Sequence, residues 1–147
     1  MTTSPSSVSA FPDMELVLKN DFAEIPPAAD AVDRFLAEQG VSPGILYIAR
    51  LVIEELVSNT IKYGYDDPGS HEIHIAACIR DGSLVVEVSD DGHPFNPLDA
   101  PDPPLHLPVH ERPIGGLGLH FIRSMTDSLD YERRDGRNMV TVRKTCS

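Results

Sequence analysis

SPGILYIARLVIEELVSNTIKYG, residues 42–64, is the segment around which the rest of the chain can be arranged. Ser42 can cap a helix there, and Ile45, Ile48, Ala49, Val52, Leu56 and Thr60 recur along one stripe, with Gly64 near the stop. The segment is long and strongly apolar, so it reads as the central helix of the fold. Two adjacent acids interrupt it. Glu55 and Asn59 are four residues apart and share a face, whereas Glu54 points elsewhere. A lone Glu-x-x-x-Asn is most often the polar edge of an amphipathic helix. Here, however, Asn59 borders the apolar stripe and is a poor helix former, so it calls for a partner. A carboxylate one turn from an amide oxygen suits a site where Asn holds Mg²⁺ through oxygen and the acid positions a water or hydroxyl.

Working outward, MELVLKN (14–20) alternates as a strand, and IPPAADAVDRFLAEQG (25–40) is a helix with Pro26 and Pro27 at its start and Gly40 as its stop. Downstream the period changes to two. HEIHIAACIR and SLVVEVSD, joined by Asp81-Gly82, form one hairpin, and LDYERR and RNMVTVRK, joined by Asp135-Gly136, form another. Between them lie an irregular proline-rich stretch, 93–114, and GGLGLHFIRSMTDS, which returns to helical spacing at Leu119, Ile122 and Met125. The order strand, two helices, two strands, loop, helix, two strands predicts an α+β two-layer sandwich: a mixed, mostly antiparallel sheet with helices on one face.

With 147 residues, 41% hydrophobic and 24% charged, one domain is expected over 14–147, after a disordered lead-in over 1–13. A net charge of −11, from 23 acids against 12 bases, argues against nucleic acid or an anionic membrane as the main partner. Two cysteines, Cys78 and Cys146, make neither a disulfide framework nor a metal cluster, which points to a reducing cytosol. No segment has the length of a membrane span, and MTTSPSSVSAFPD lacks the basic and apolar regions of a signal peptide.

Two further features could carry chemistry. In VSDDGHPFNP, Asp90 ends a strand and Gly92 lets the backbone turn or a planar ligand approach. Most Asp-x-Gly sequences are only turns, but a carboxylate at a strand end can also accept from an exocyclic amine such as that of adenine. In GGLGLHFI (115–122), Gly115, Gly116 and Gly118 free backbone amides at a helix N-terminus, which favours a polyphosphate. This run is neither a G-x-G-x-x-G after a strand nor a Walker motif.

Taken in order, Glu55-x-x-x-Asn59, Asp90-x-Gly92-x-Pro94-Phe95 and Gly115-Gly116-Leu117-Gly118-Leu119 resemble the N, G1 and G2 boxes of the GHKL ATPases. Within that superfamily the chain is most similar to the small bacterial anti-sigma-factor serine/threonine kinases, from Met14 to Lys144. The resemblance implies ATP and Mg²⁺ as cofactors, with Asn59 on the metal and Glu55 as general base. It implies Asp90 on the adenine amino group, Gly92 and Phe95 beside the base, and Gly115, Gly116, Leu117, Gly118 and Leu119 around the phosphates. A lid over 96–114 would close the nucleotide in. The implied partners are an anti-sigma-factor antagonist protein as phosphate acceptor and a sigma factor or other effector that is sequestered. A homodimer is common among such kinases.

Departures from the pattern are Tyr63, where many relatives have histidine, and the final hairpin, where Asn138 or Thr141 stands in for a threonine at the adenine site. Arg112 near the lid end is read as a surface residue within reach of a phosphate. Zinc binding by His71 and His74 is disfavoured, because they face opposite sides of a strand and HEIH lacks the helical H-E-x-x-H spacing, and zinc binding by His106 and His110 because they lie in a loop with no Cys or carboxylate arrangement beside them. The rival reading is an ATP-dependent sequestering module that transfers nothing; Glu55 argues for transfer.

Overall fold

The computed structural model describes residues 13–96 and 116–146. Five strands form one wholly antiparallel sheet: β1 (Met14–Lys19), β2 (Glu72–Arg80), β3 (Ser83–Asp90), β4 (Ser128–Arg134) and β5 (Arg137–Thr145), in the spatial order β1-β2-β3-β5-β4. Three helices, α1 (Ile25–Glu38), α2 (Pro43–Tyr63) and α3 (Gly116–Met125), pack against it, α2 touching α1, α3 and β3. The expected α+β sandwich is therefore observed, with every strand pair antiparallel. The lead-in over 1–12, most of the expected lid, Gly115, Arg112, His106 and His110 lie outside the described residues.

Local chemistry explains the boundaries. The Ser42 hydroxyl accepts from the Ile45 amide at 3.3 Å, satisfying one of the free donors at the start of α2, with Pro43 just inside. Both Asp-Gly pairs turn their hairpins with positive φ at each residue, 52° and 76° at Asp81-Gly82 and 54° and 76° at Asp135-Gly136. That geometry matches the twist of the flanking strands and is open to few residues but Asp, Asn and Gly.

The core lies between the helices and one face of the sheet, around Val32, Leu36, Val52, Ile73, Ile75, Leu84, Val86 and Ile122. Helix α2 is buried beyond its predicted stripe, since Ile53 and Val57 are fully enclosed as well, because α1 and α3 cover it as the sheet does. On the other face of the sheet Ala76, Cys78 and Val85 form a small second cluster. Along β5 the alternation sends Asn138, Val140 and Val142 toward the helices, opposite Asp90, Val88 and Val86 of β3.

Candidate functional site

Leu56, Asn59 and Thr60 of α2, Val88 and Asp90 of β3, Phe95, and Asn138 and Val140 of β5 line a narrow pocket. Its walls are apolar, and its polar groups come from three separate elements, the general make-up of a small-molecule site.

Asp90 is the polar centre of the pocket floor. Buried at 5% exposure, its Oδ1 accepts from the Gly92 amide at 2.9 Å and from Asn138 Nδ2 at 3.0 Å. Among the described residues its Oδ2 receives the Thr60 hydroxyl alone, at 3.4 Å, and that hydroxyl also bonds the Leu56 carbonyl one turn back. A carboxylate so placed offers an outward acceptor to a ligand amine. Asn138 pairs directly with Asp90 across the β3–β5 ladder, while Thr141 sits opposite Glu87 and Asp130 on the far face of the sheet. Of the two hairpin residues in question, the fold brings Asn138 to Asp90.

Gly92 serves the backbone first. A Cβ there would run into the Gly64 carbonyl, which itself accepts from the His93 amide at 2.9 Å. The end of α2 and the turn after β3 are thus in direct backbone contact, an approach only a residue without a side chain permits. Phe95 closes one side of the pocket, its amide donating to Asn138 Oδ1 at 3.3 Å and its ring 6.2 Å from that of Tyr63.

Farther along α2, Asn59 is buried at 6% exposure, and its Oδ1 has no hydrogen-bond partner. Glu55, one turn earlier, also carries an unpartnered buried oxygen, Oε2. Among the described residues these are the two buried side-chain polar atoms left without a partner. Such atoms carry a desolvation penalty unless something supplies the missing bond. Burial raises the pKa of the Glu55 carboxyl, against the opposing pull of a hydrogen bond from Asn59 and the charge of Lys62. An orphaned amide oxygen with a carboxylate one turn away fits a hard, oxygen-seeking cation such as Mg²⁺, for which Asn59 is the available ligand.

Helix α3 begins at Gly116, so Gly116, Leu117, Gly118 and Leu119 form its first turn, where amides lack intrahelical acceptors. Leu119 and Ile122 anchor the helix in the core. Of the glycines expected at a helix N-terminus, Gly116 and Gly118 fall within the first turn of α3.

Four contributors escaped the sequence. Thr60 was counted only with the apolar stripe, although its hydroxyl reaches Asp90. Tyr131 and Arg133 of β4 both bond Asn138. His71, half-buried just ahead of β2, stacks on Tyr65 with centroids 4.1 Å apart and bonds Asp67 at 2.9 Å, tying down the link from α2.

The model of the histidine kinase-like ATPase domain matches residues 18–144. The chain belongs to this family. Membership carries ATP use with it. Curated relatives within reach include the serine/threonine-protein kinase BtrW of Bordetella bronchiseptica, 26% identical over 69% of this chain and 71% of that one. An anti-sigma F factor of Oceanobacillus iheyensis is 25% identical over 68% of both chains. The fold recurs in the crystal structure of the RsbU and RsbW domains of Rv1364c from Mycobacterium tuberculosis, with a TM-score of 0.63 at 16% identity. That match covers 90% of this chain and 31% of the longer one. Among the described residues no helix is long and apolar enough to cross a membrane.

Proposed function

We propose that this chain binds ATP with Mg²⁺ and phosphorylates a serine or threonine of a small protein partner, an anti-sigma-factor antagonist in a bacterial partner-switching circuit. The observation that carries this reading is the pair Glu55 and Asn59, each holding an unpartnered buried oxygen one helical turn from the other. A module that only sequesters has no use for a buried base beside its metal ligand.

In this reading Asp90 accepts from the adenine amino group through Oδ2, Phe95 and Gly92 flank the base, and the first turn of α3, from Gly116 to Leu119, presents amides to the phosphates, together with Gly115 just ahead of it in the sequence. Asn59 Oδ1 would hold the Mg²⁺, which when bound offsets the charge of the phosphate oxygens. The acceptor hydroxyl attacks the γ-phosphorus and its proton passes to the Glu55 carboxylate. A new P–O bond forms while the bond to the β–γ bridging oxygen breaks, and ADP departs. Burial makes Glu55 a stronger base than an exposed glutamate, which favours that transfer.

The second partner would be a sigma factor or other effector, held until unphosphorylated antagonist competes for the kinase. Phosphorylation adds roughly −1.5 to −2 charges at pH 7. Against a chain of net charge −11, that disfavours rebinding of the modified antagonist. A cytoplasmic setting, a nucleotide lid over 96–114 and a homodimer complete the proposal.

The test is to capture partners from native cytosol with the purified protein and Mg·ATP, add γ-labelled ATP, and look for label on serine or threonine of a small captured protein. Label that vanishes with Glu55→Ala supports the kinase. A partner captured in an ATP-dependent way but never labelled assigns the chain to sequestration and overturns the transfer step.

A further inference from the structure

Asn138 has every hydrogen-bonding position of its amide engaged, and all in one orientation. Nδ2 donates to Asp90 Oδ1 at 3.0 Å and to the His93 carbonyl at 2.9 Å. Oδ1 accepts from the Tyr131 hydroxyl at 2.6 Å, from Arg133 Nη1 at 3.2 Å and from the Phe95 amide at 3.3 Å. Rotating the amide by half a turn would set acceptor against acceptor at Asp90 and His93, and donor against donor at Tyr131, Arg133 and Phe95. Arg133 does more than hold Asn138, since Nη1 also donates to the Gly92 carbonyl at 2.7 Å. Strand β4 thereby grips both the turn that follows Asp90 and the side chain that orients the Asp90 carboxylate.

We infer that Tyr131 and Arg133 are positioning residues that set base selectivity, although neither lines the pocket. This rests on the adenine role proposed for Asp90. Their two donors fix the Asn138 amide with nitrogen toward Asp90. The carboxylate is then pinned by Oδ1, and Oδ2 faces the pocket as an acceptor. A purine with an amine at C6 supplies the matching donor. A purine with a carbonyl there sets oxygen against oxygen and is refused. Without the Tyr131 and Arg133 donors the amide keeps only the Phe95, Asp90 and His93 bonds, the carboxylate is held in its plane less firmly, and the distinction between the two purines weakens.

The variants are Tyr131→Phe, which removes one hydroxyl and keeps the ring, and Arg133→Met, which keeps an apolar stem of similar reach. Affinities for ATP and ITP are measured on each, with Mg²⁺ present, beside the wild-type protein. The ratio of ATP to ITP affinity is expected to fall roughly threefold to tenfold in each single variant. A purely structural role would weaken both nucleotides alike and leave the ratio unchanged, and that result overturns the inference. A second readout needs no nucleotide. Exchange of the Asn138 side-chain amide hydrogens, followed by NMR, should speed up several-fold in Tyr131→Phe, and unaltered exchange overturns the inference even if the Arg133 variant fails to fold. Wild-type protein that binds ATP and ITP equally, yet shows the faster amide exchange in the variant, refutes the adenine role of Asp90 while leaving the orienting network intact.

Discussion

Replacing Asn59 with alanine separates the proposed metal site from the fold. The side chain is nearly fully buried and its Oδ1 has no partner, so the nucleotide-free protein already carries an unmade hydrogen bond, a cost of about 1–3 kcal/mol. Truncation removes that penalty and exchanges a poor helix former for the best one, a gain of up to about 0.7 kcal/mol. Against these stand the lost hydrogen bond to Glu55 and a slightly larger pocket. The nucleotide-free variant is therefore expected to be as stable as the wild type to within about 1 kcal/mol. With ligand the two should part. At a Mg·ATP concentration of about 100 Kd, binding stabilises the wild type by about 2.7 kcal/mol. For a domain of this size that corresponds to a rise in Tm of roughly 10 °C, at about 4 °C per kcal/mol. The alanine variant should show almost none of it, and chelating the metal should remove most of it from the wild type. Thermal melts of both proteins, with ATP and either Mg²⁺ or EDTA, decide the matter. A full Mg²⁺-dependent shift in Asn59→Ala would refute the assignment of Asn59 to the metal.

Glu55→Gln should keep ATP binding and lose phosphotransfer by roughly 10²–10⁴-fold, measured with labelled ATP and the captured acceptor. The same variant tests the raised pKa by linkage. A carboxyl that holds its proton more tightly when folded costs stability as pH climbs from 4.5 through the folded value, so denaturant titrations should find Glu55→Gln more stable than wild type near pH 7, with the gap narrowing below 4.5. Gly92→Ala forces a methyl against the Gly64 carbonyl and should destabilise the protein by about 1–3 kcal/mol in urea; a neutral result would mean that the α2 terminus gives way easily. Thr141→Val, on the far face of the sheet, should leave ATP affinity unchanged in calorimetry, whereas Asn138→Val should lower it by at least tenfold, about 1.4 kcal/mol.

Much of the architecture could be read from local chemistry. Both Asp-Gly turns dictate their hairpins because so few residues accept their backbone angles, and Ser42 and Pro43 start α2 for reasons confined to one helical turn. The Glu55–Asn59 pair was legible because helical spacing fixes which residues share a face. Between Asn138 and Thr141 the sequence reading left the matter open, yet the parity that sets Asn138 beside Asp90 is written in the chain. In NMVTVRK the two valines mark the buried parity, and Asn138 falls on it while Thr141 does not. What could not be read are contacts that join distant segments without any periodic mark. Nothing local announces that the Thr60 hydroxyl will meet a carboxylate thirty positions on. Arg133, on the edge strand of a hairpin, looks like any solvated arginine until the sheet brings Gly92 and Asn138 within its reach. Gly92 was legible as a necessary glycine, but its crowding neighbour, the Gly64 carbonyl, emerges only when α2 and β3 are docked.

The position of β5 between β3 and β4 has a consequence for how the protein comes into being. Asp90 and the α2 residues are synthesised well before the strand that completes their pocket, and the proposed base site is unfinished until Asn138 has threaded between two partners, one made long before it and one just ahead of it. Pairings of such sequence separation form late in folding. A nascent or clipped chain lacking residues from Arg137 onward would keep its glutamate and asparagine on α2 yet have no floor on which to rest a nucleotide. In the proposed reading, occupancy of this pocket by ATP would then report that β5 is in place.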